Sequence, residues 1–270
     1  FKNGAPLMIP PKHSATFIKR ATFLELFDAT CFGTYAGVGF DIFSDFTATP
    51  TISSGASPIM VGEWIGQQAS GNLSQGVAYR DGTTKAIGEA LLSTGTSTTG
   101  MFTLGLQSSN NLTGGYGYGL SVSRLAVPNL STVTDEFVVQ SGWQDNVFGG
   151  TNVDGVCWKY DRLTLGADTW RTSTQSNSTE TVTTASGFTV ATGEMPYLGI
   201  FVNGDWTNVE FFYSIDGKTW TFSNVHTTNI PTGSSRVFGY GASIRKTAGT
   251  TARTCSVDLL GLKMAQKRGS

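Results

Sequence analysis

The sequence has little charge. Only 14% of its 270 residues are Asp, Glu, Lys or Arg, and the formal net charge is -1, whereas charged residues make up about a quarter of an ordinary soluble domain. The excess of Lys and Arg that marks a nucleic-acid-binding surface is absent. Long apolar runs are absent too, because no stretch approaches the roughly 18 uncharged apolar residues of a membrane span. We therefore predict contact with neither nucleic acid nor a membrane.

Cysteine and histidine are also scarce. Cys31, Cys157 and Cys255 are too few and too far apart in the sequence for a complete disulfide framework. His13 and His226 are isolated from each other, and no glycine-rich loop is followed by Lys-Ser or Lys-Thr. Metal sites and phosphate-binding loops need such clusters, so we predict no bound metal and no cofactor.

Glycine and aromatic residues are abundant. The chain has 34 glycines, and Phe, Trp and Tyr make up 11% of it, which supplies turn residues and apolar surface for a packed core. After residue 130, short apolar strands alternate with polar turns, as around residues 175–178 and 204–208. This series predicts an all-β fold, an antiparallel jelly-roll β-sandwich. Only residues 84–92 show a helical pattern.

The chain divides into an arm, a sandwich and a short tail. Three prolines within residues 5–11 predict an extended N-terminal arm, assigned to residues 1–15. The sandwich is assigned to residues 16–265, most clearly over residues 130–265, and the tail to residues 266–270. Within the arm, the apolar trio of Leu7, Met8 and Ile9 is expected to dock on an adjacent subunit or another protein of an assembly.

Sequence patterns of catalysis are missing. There is no Gly-x-Ser-x-Gly elbow, and the Glu-x-Asp-x-x-Glu spacing that places paired carboxylates on one strand face occurs nowhere. Asp41 and Asp45 share a strand face if extended, but solvated carboxylates explain them as well. In the segment around Asp216, we predict a hairpin turn in which this carboxylate accepts backbone N–H groups and Gly217 takes a positive φ. We predict that the protein is not an enzyme.

A family resemblance is visible in the second half of the chain. It is carried by residues 154–160 (DGVCWKY), 197–200 (YLGI), 209–220 (VEFFYSIDGKTW), 244–251 (IRKTAGTT) and 257–260 (VDLL). In this order the segments resemble the concanavalin A-like, laminin-G-like jelly-roll domains of bacteriophage virion structural proteins. Enzymes of that superfamily that cleave β-glucans carry the paired-carboxylate strand that is missing here. The resemblance therefore implies the fold and a virion role but no catalytic residue.

The resemblance and the low charge together predict a non-enzymatic virion component, either a capsid decoration or head-fibre protein or one associated with a tail fibre. We expect a homo-oligomer, preferably a trimer, held among other virion proteins. The alternative is a carbohydrate-binding, receptor-binding module or a glycan depolymerase. Three aromatic residues are candidates for stacking on sugar rings of a host surface glycan, namely Trp206, Trp220 and Tyr240.

Overall fold

The computed structural model describes residues 38–44, 59–61, 64–69, 78–80, 89–106, 112–115, 117–145, 152–233 and 236–266. These residues form seventeen strands and one short helix. The strands are β1 (Val38–Ser44), β2 (Ile59–Val61), β3 (Trp64–Ala69), β4 (Ala78–Arg80), β5 (Glu89–Ser93), β6 (Met101–Gly105), β7 (Leu112–Thr113), β8 (Gly117–Ala126), β9 (Phe137–Gln144), β10 (Gly155–Asp161), β11 (Thr169–Ser176), β12 (Thr179–Thr189), β13 (Tyr197–Val202), β14 (Val209–Ser214), β15 (Thr221–His226), β16 (Val237–Lys246) and β17 (Thr254–Gln266), and the helix is α1 (Arg162–Leu165). In this part of the chain, no helix has the length and apolar character of a membrane span.

The described strands form two sheets in which every pairing is antiparallel. One sheet has eight strands in the order β15-β14-β13-β8-β17-β5-β4, with β1 also paired to β17. The other has nine strands in the order β12-β11-β10-β9-β16-β6-β3-β2, with β7 paired to β16. Each sheet combines hairpins of consecutive strands with pairs distant in sequence, such as β8–β17 and β9–β16, as in a jelly roll rather than a simple meander. The predicted antiparallel β-sandwich is confirmed.

Alternation along the strands explains how the two sheets enclose a core. In β14, Val209 and Phe211 are both 0% exposed and belong to the main apolar cluster between the sheets. The next residue, Phe212, belongs instead to a second cluster on the outer side of the same sheet. Side chains of successive strand residues point to opposite faces, so one strand contributes to both clusters.

Five large tryptophan side chains lie in the main core. Five of the six tryptophans are at most 1% exposed, and these are Trp64, Trp143, Trp158, Trp170 and Trp206. Their rings contact other aromatic rings edge-on or stacked; the Trp158 ring, for example, meets Phe211 at 5.8 Å between centroids. Such pairs add directional stability to the burial of large apolar surfaces. The aromatic content of the sequence therefore serves the core first.

Two local predictions have clear outcomes. The helical pattern of residues 84–92 is wrong for its last four residues, because Glu89–Ser93 is the strand β5 and pairs with β17 and β4. The predicted turn is confirmed: Asp216 Oδ1 accepts the N–H groups of Lys218 and Thr219 at 2.8 and 2.7 Å, and Gly217 has φ 72°. These hydrogen bonds hold the pKa of Asp216 at about 2.

The two cysteines in the described part are free and buried, one in each sheet. Cys157 lies in β10 and is 3% exposed, and Cys255 lies in β17 and is 0% exposed. Burial raises the pKa of both thiols to about 12. Since the thiolate is the reactive form, these two side chains act as small apolar core residues.

Candidate functional site

Three loops meet at one end of the sandwich, which we call the pocket end. Residues 114–115 lead into β8, residues 203–208 join β13 to β14, and residues 227–233 lie between β15 and β16. Strands β8 and β14 both run antiparallel to β13, so both begin at this end. We refer to these three segments as the first, second and third pocket loops.

Backbone contacts join the first pocket loop to the other two. Gly117 N–H donates to the Gly204 carbonyl at 2.9 Å, and Gly233 N–H donates to the Gly114 carbonyl at 3.4 Å. A Cβ atom added to Gly114 would lie 2.5 Å from the carbonyl oxygen of Pro231. Only glycine permits this close approach between the first and third loops.

The side chain of Asn203 shapes the second pocket loop. Its Oδ1 accepts the backbone N–H groups of Thr207 at 2.8 Å and Asn208 at 3.0 Å, and its Nδ2 donates to Thr207 Oγ1 at 2.8 Å. Such hydrogen bonds to following backbone groups are a common way for Asn to stabilise a turn. The loop leaves Asp205 and Thr207 exposed, while Trp206 between them is buried.

Trp206 forms the base of this end of the molecule. It has φ 53°, an uncommon conformation for a large residue, and it is 1% exposed. Its ring stacks on Phe238 with centroids 5.6 Å apart and 16° between the planes. Its Nε1–H donates to the Gly117 carbonyl at 2.9 Å, so the one polar atom of the indole is satisfied.

His226 anchors the start of the third pocket loop to the opposite sheet. It ends β15, and its ring nitrogens lie 2.8 Å from Thr174 Oγ1 and 3.0 Å from Thr172 Oγ1, both on β11. The residue is 3% exposed, and burial lowers its pKa to about 4. The neutral imidazole therefore links the edges of the two sheets by hydrogen bonds at physiological pH.

Two further hydrogen bonds hold the third loop beyond His226. The Thr228 carbonyl accepts from Thr174 Oγ1 at 2.9 Å, and Asn229 Nδ2 donates to Thr181 Oγ1 of β12 at 2.9 Å. Asn229 has φ 51°, which Asn tolerates better than most residues. The loop is thus fixed by side chains of the nine-stranded sheet before it reaches the pocket.

The three loops line an open pocket of about 480 Å³. Its size lies within the range of small-molecule sites. The loops contribute Gly114 and Gly115, then Asp205, Trp206 and Thr207, and finally Thr227, Asn229, Ile230, Thr232 and Gly233. In the described part of this lining, Asp205 is the only charged residue, and the other polar side chains are three threonines and one asparagine.

These lining groups suit a polyhydroxylated ligand. Threonine hydroxyls and the asparagine amide both donate and accept hydrogen bonds, whereas a carboxylate only accepts them. A sugar presents adjacent hydroxyl groups that also donate and accept. The lining therefore matches hydroxyl groups better than it matches a phosphate, which requires cationic or backbone N–H donors.

Two other charged groups at the pocket end, Arg236 and Asp154, are paired with each other. Arg236 donates to Asp154 Oδ2 and to Asn177 Oδ1, and the Asn177 N–H donates to Asp154 Oδ1 at 2.9 Å. This network joins the end of the third loop region to the turn between β11 and β12. Within the described residues, no group of three or more His, Cys, Asp or Glu side chains is arranged to hold a metal ion.

The three predicted stacking residues do not form one surface. Trp206 and Tyr240 are each 1% exposed, so their ring faces are unavailable to a sugar, and this part of the prediction is wrong. Tyr240 instead packs edge-on against Trp64 and donates from its hydroxyl to the Val122 carbonyl at 2.8 Å. Both residues were candidates because their types stack well on sugars, but the core needs the same rings.

Trp220 is half-buried and lies away from the pocket. It precedes β15, at the end of the molecule opposite the pocket loops, and its ring meets Tyr197 at 6.3 Å between centroids. It remains a predicted stacking residue that no finding tests. The predicted docking trio of Leu7, Met8 and Ile9, the N-terminal arm and the tail all lie outside the described residues.

The sequence signal for the pocket was present but had another interpretation. The sequence predicts turns at residues 204–208 and 114–119, and the structure has turns at residues 204–205 and 114–115, whereas residues 117–119 already belong to β8. What sequence reasoning missed is that these turns meet the 227–233 segment and leave the Asp205 carboxylate at a shared cavity. Nothing in the local sequence indicates that meeting, because it depends on the pairing of distant strands.

Comparison with known proteins places the chain among β-sandwich proteins. The family model described as SO2946-like, C-terminal domain, matches residues 85–258. The crystal structure of the protein of unknown function SO2946 from Shewanella oneidensis MR-1 is similar over 98% of this chain and 99% of that one, with a TM-score of 0.61 and 14% identity. No curated protein matches the sequence.

Two lectins are also similar in structure. Peanut lectin is similar over 84% of this chain and 97% of its own, with a TM-score of 0.52 and 8% identity. The lectin from Bauhinia forficata, solved in complex with GalNAc, is similar over 85% of this chain and 100% of its own, with a TM-score of 0.52 and 9% identity. At such identities the likeness shows the fold alone, which is the predicted concanavalin A-like jelly roll.

Proposed function

The chain belongs to the SO2946-like C-terminal domain family, and from that premise we propose that it is a non-catalytic, lectin-like module that binds a sugar in the pocket described above. The observation that carries this proposal is the cavity of about 480 Å³, lined by hydroxyl, amide and carboxylate groups from three loops. Lectins with the same fold, one of them in complex with GalNAc, support it by analogy.

The loop structure favours recognition of a small, rigid group such as one sugar residue. The first and third loops touch through Gly114, and the second is held by Asn203. Because these contacts lie within the protein itself, binding does not have to order the loops first. Thr207, Thr227 and Thr232 are exposed at the cavity and offer hydroxyl groups that adapt by rotation.

The lining supports binding rather than hydrolysis. Glycoside hydrolysis ordinarily uses two carboxyl groups, one on each side of the scissile bond. Asp205 is the only acidic residue among the described residues of the pocket lining. The nearby Asp154 carboxylate accepts hydrogen bonds from Arg236 and Asn177. A depolymerase activity therefore has no paired acid and base in this pocket.

The virion assignment is a wider proposal, and it rests on the sequence resemblance. A phage capsid-decoration, head-fibre or tail-fibre-associated protein with this module would use the pocket to hold a host surface glycan. Association as a homotrimer with other virion proteins belongs to the same proposal. Electron microscopy of phage particles labelled with antibodies against the chain tests it, since absence from particles would contradict it.

Glycan binding is tested with the full chain and one matched pair of variants. Thr232 lines the pocket and is exposed, whereas Thr250 is exposed in the loop between β16 and β17, at the other end of the sandwich. We expect the wild type and Thr250→Trp to bind the same sugars on a glycan array. Thr232→Trp fills the cavity and should lose that binding.

Three outcomes contradict the proposal. No binding to any glycan removes its basis, and equal binding by both variants places the site elsewhere. Release of reducing ends from a panel of bacterial polysaccharides would overturn the non-catalytic assignment. Thermal unfolding of both variants shows whether a loss of binding reflects a loss of folding.

A further inference from the structure

The pocket has an uncompensated negative charge. Asp205 is exposed on the second pocket loop and, among the described residues, is the only charged one in the lining. Its carboxylate has no hydrogen bond or ion pair with any described residue. Asn203 fixes the loop around it through bonds to Thr207 and Asn208, so the position of the charge is set by the fold.

Several other aspartates of the described part have a structural partner where Asp205 has none. Asp154 pairs with Arg236, and Asp258 pairs with Arg124 at 2.7 Å. Asp216 accepts backbone N–H groups of its own turn. Asp205 stabilises no turn and no ion pair of this kind. A carboxylate without such a role, held at the wall of a cavity, is available to a ligand.

The Arg236 side chain at the pocket end does not compensate this charge. Arg236 follows the third pocket loop, but its guanidinium donates to Asp154 and Asn177. Among the residues that the structure describes, no Lys, Arg or His lines the cavity. The electrostatic potential inside the pocket is therefore negative. The chain has few charged residues elsewhere, and these do little to offset the Asp205 carboxylate.

We propose that the pocket prefers a sugar with a free ammonium group, a deacetylated hexosamine, over its N-acetylated and uncharged counterparts. This inference rests on the proposed function, since it names the class of sugar for the same pocket. An ammonium group donates three hydrogen bonds, and its positive charge would pair with the Asp205 carboxylate. N-acetylation removes that charge, and a uronic acid adds a second carboxylate that Asp205 repels.

The expected preference is modest because Asp205 is exposed. Ion pairs at exposed sites change affinity by about 2-fold to 5-fold. Added salt also screens such pairs, because the Debye length falls from roughly 10 Å at 0.1 M ionic strength to roughly 3 Å at 1 M. The preference should therefore shrink as salt is raised, whereas hydrogen bonds to sugar hydroxyls should change little.

Calorimetric titration of the full chain with four oligosaccharides of equal length tests the inference. The probes are oligomers of glucosamine, of N-acetylglucosamine, of glucose and, as the repelled ligand, of glucuronate. We expect the wild type to bind the glucosamine oligomer most tightly, the two uncharged oligomers less tightly and the glucuronate oligomer least. Asp205→Asn should bring the first three affinities together and relieve the exclusion of glucuronate.

Glu194→Gln provides the matched control. Glu194 is exposed in the loop between β12 and β13, outside the pocket, and its substitution removes the same unit of charge. It should keep the wild-type order of affinities. If Glu194→Gln loses the order as well, net charge rather than the pocket sets the preference, and the inference is wrong.

The experiment separates this inference from the proposed function. Equal or tighter binding of the uncharged oligomers by the wild type overturns the ammonium preference and leaves glycan binding intact. Persistence of the preference in Asp205→Asn also overturns it. Binding of none of the probes, together with a blank glycan array, overturns both.

Discussion

The two ends of the sandwich use similar loops in different ways. At the pocket end, Asp205 has no partner among the described residues and lines a cavity. At the opposite end, which we call the closed end, Asp135 accepts from Thr251 N–H at 2.9 Å, Thr251 Oγ1 at 2.8 Å and Arg253 Nη2 at 3.3 Å. The hydrogen bonds from Thr251 lead the effects that lower the pKa of Asp135.

Backbone and lysine contacts complete the closed end. Thr94 N–H donates to the Arg253 carbonyl at 2.9 Å, and Arg253 N–H donates to Thr94 Oγ1 at 3.0 Å. The buried Lys246 donates from Nζ to the Gly95 carbonyl at 2.8 Å. The difference is that the Asp135 carboxylate of the closed end holds neighbouring loop residues in place, whereas the Asp205 carboxylate is exposed at a cavity whose loops are held by other groups.

Removal of the pocket base should have the largest effect. Trp206→Ala deletes a ring that stacks on Phe238 and a hydrogen bond to Gly117. We expect a loss of about 3–5 kcal/mol in the free energy of unfolding, as for other buried Trp to Ala changes, and loss of glycan binding. Urea unfolding measures the first. Trp206→Phe should lose less, and a cost of under about 1 kcal/mol for Trp206→Ala would contradict the assigned role.

Acid should weaken the pocket end through His226. Its pKa is about 4 in the folded protein against an ordinary value of 6.5. Between these values the unfolded chain binds a proton that the native imidazole does not. The free energy of unfolding should therefore fall, by up to about 3 kcal/mol, as pH decreases from 6.5 to 4. Urea unfolding at a series of pH values checks this, and His226→Gln should flatten the profile. Parallel profiles would refute it.

The closed end should respond to loss of its carboxylate by losing stability alone. Asp135→Asn weakens the bonds to Thr251 and Arg253, so the melting temperature should fall. Because the lowered pKa of Asp135 stabilises the fold above an ordinary value of 3.8, the difference from wild type should disappear in stronger acid. Differential scanning calorimetry measures the melting temperature. Altered glycan binding in this variant would show that the two ends are not independent.

The smallest effect on stability should come from the corresponding change at the pocket end. Asp205→Asn removes no hydrogen bond or ion pair among the described residues, so its free energy of unfolding should stay within about 0.5 kcal/mol of wild type. The same calorimetric scan measures it beside Asp135→Asn. A comparable fall in both variants would mean that Asp205 has a structural role.

The sequence predicts the strands and hairpins of this fold better than it predicts which distant strands pair. Strands such as β10 and the hairpins around residues 175–178 and 204–208 follow from local alternation and turn residues, and the structure contains them. The failure at residues 89–92 has a tertiary cause, since pairing with β17 overrides a weak helical pattern that already contained Gly88. Local pattern indicates a strand but not its neighbours.

The candidate site was predicted by residue type, and this explains its errors. Tyr240 alternates with Phe238, Ala242 and Ile244 along β16, so its parity already indicated the core face. Trp206 gave no such signal, because a loop position does not specify the φ that turns it inward. Asp205 could not be found at all without knowing that three separate loops meet.

The rates at which the two buried thiols become reactive report how fast each of the two sheets opens. Cys157 and Cys255 report on different sheets, and neither side chain reacts while its sheet is closed. In a Cys31→Ser background, pulses of an alkylating reagent followed by mass spectrometry would time each opening separately. Equal rates would show one cooperative unfolding event, and unequal rates would identify which layer opens first.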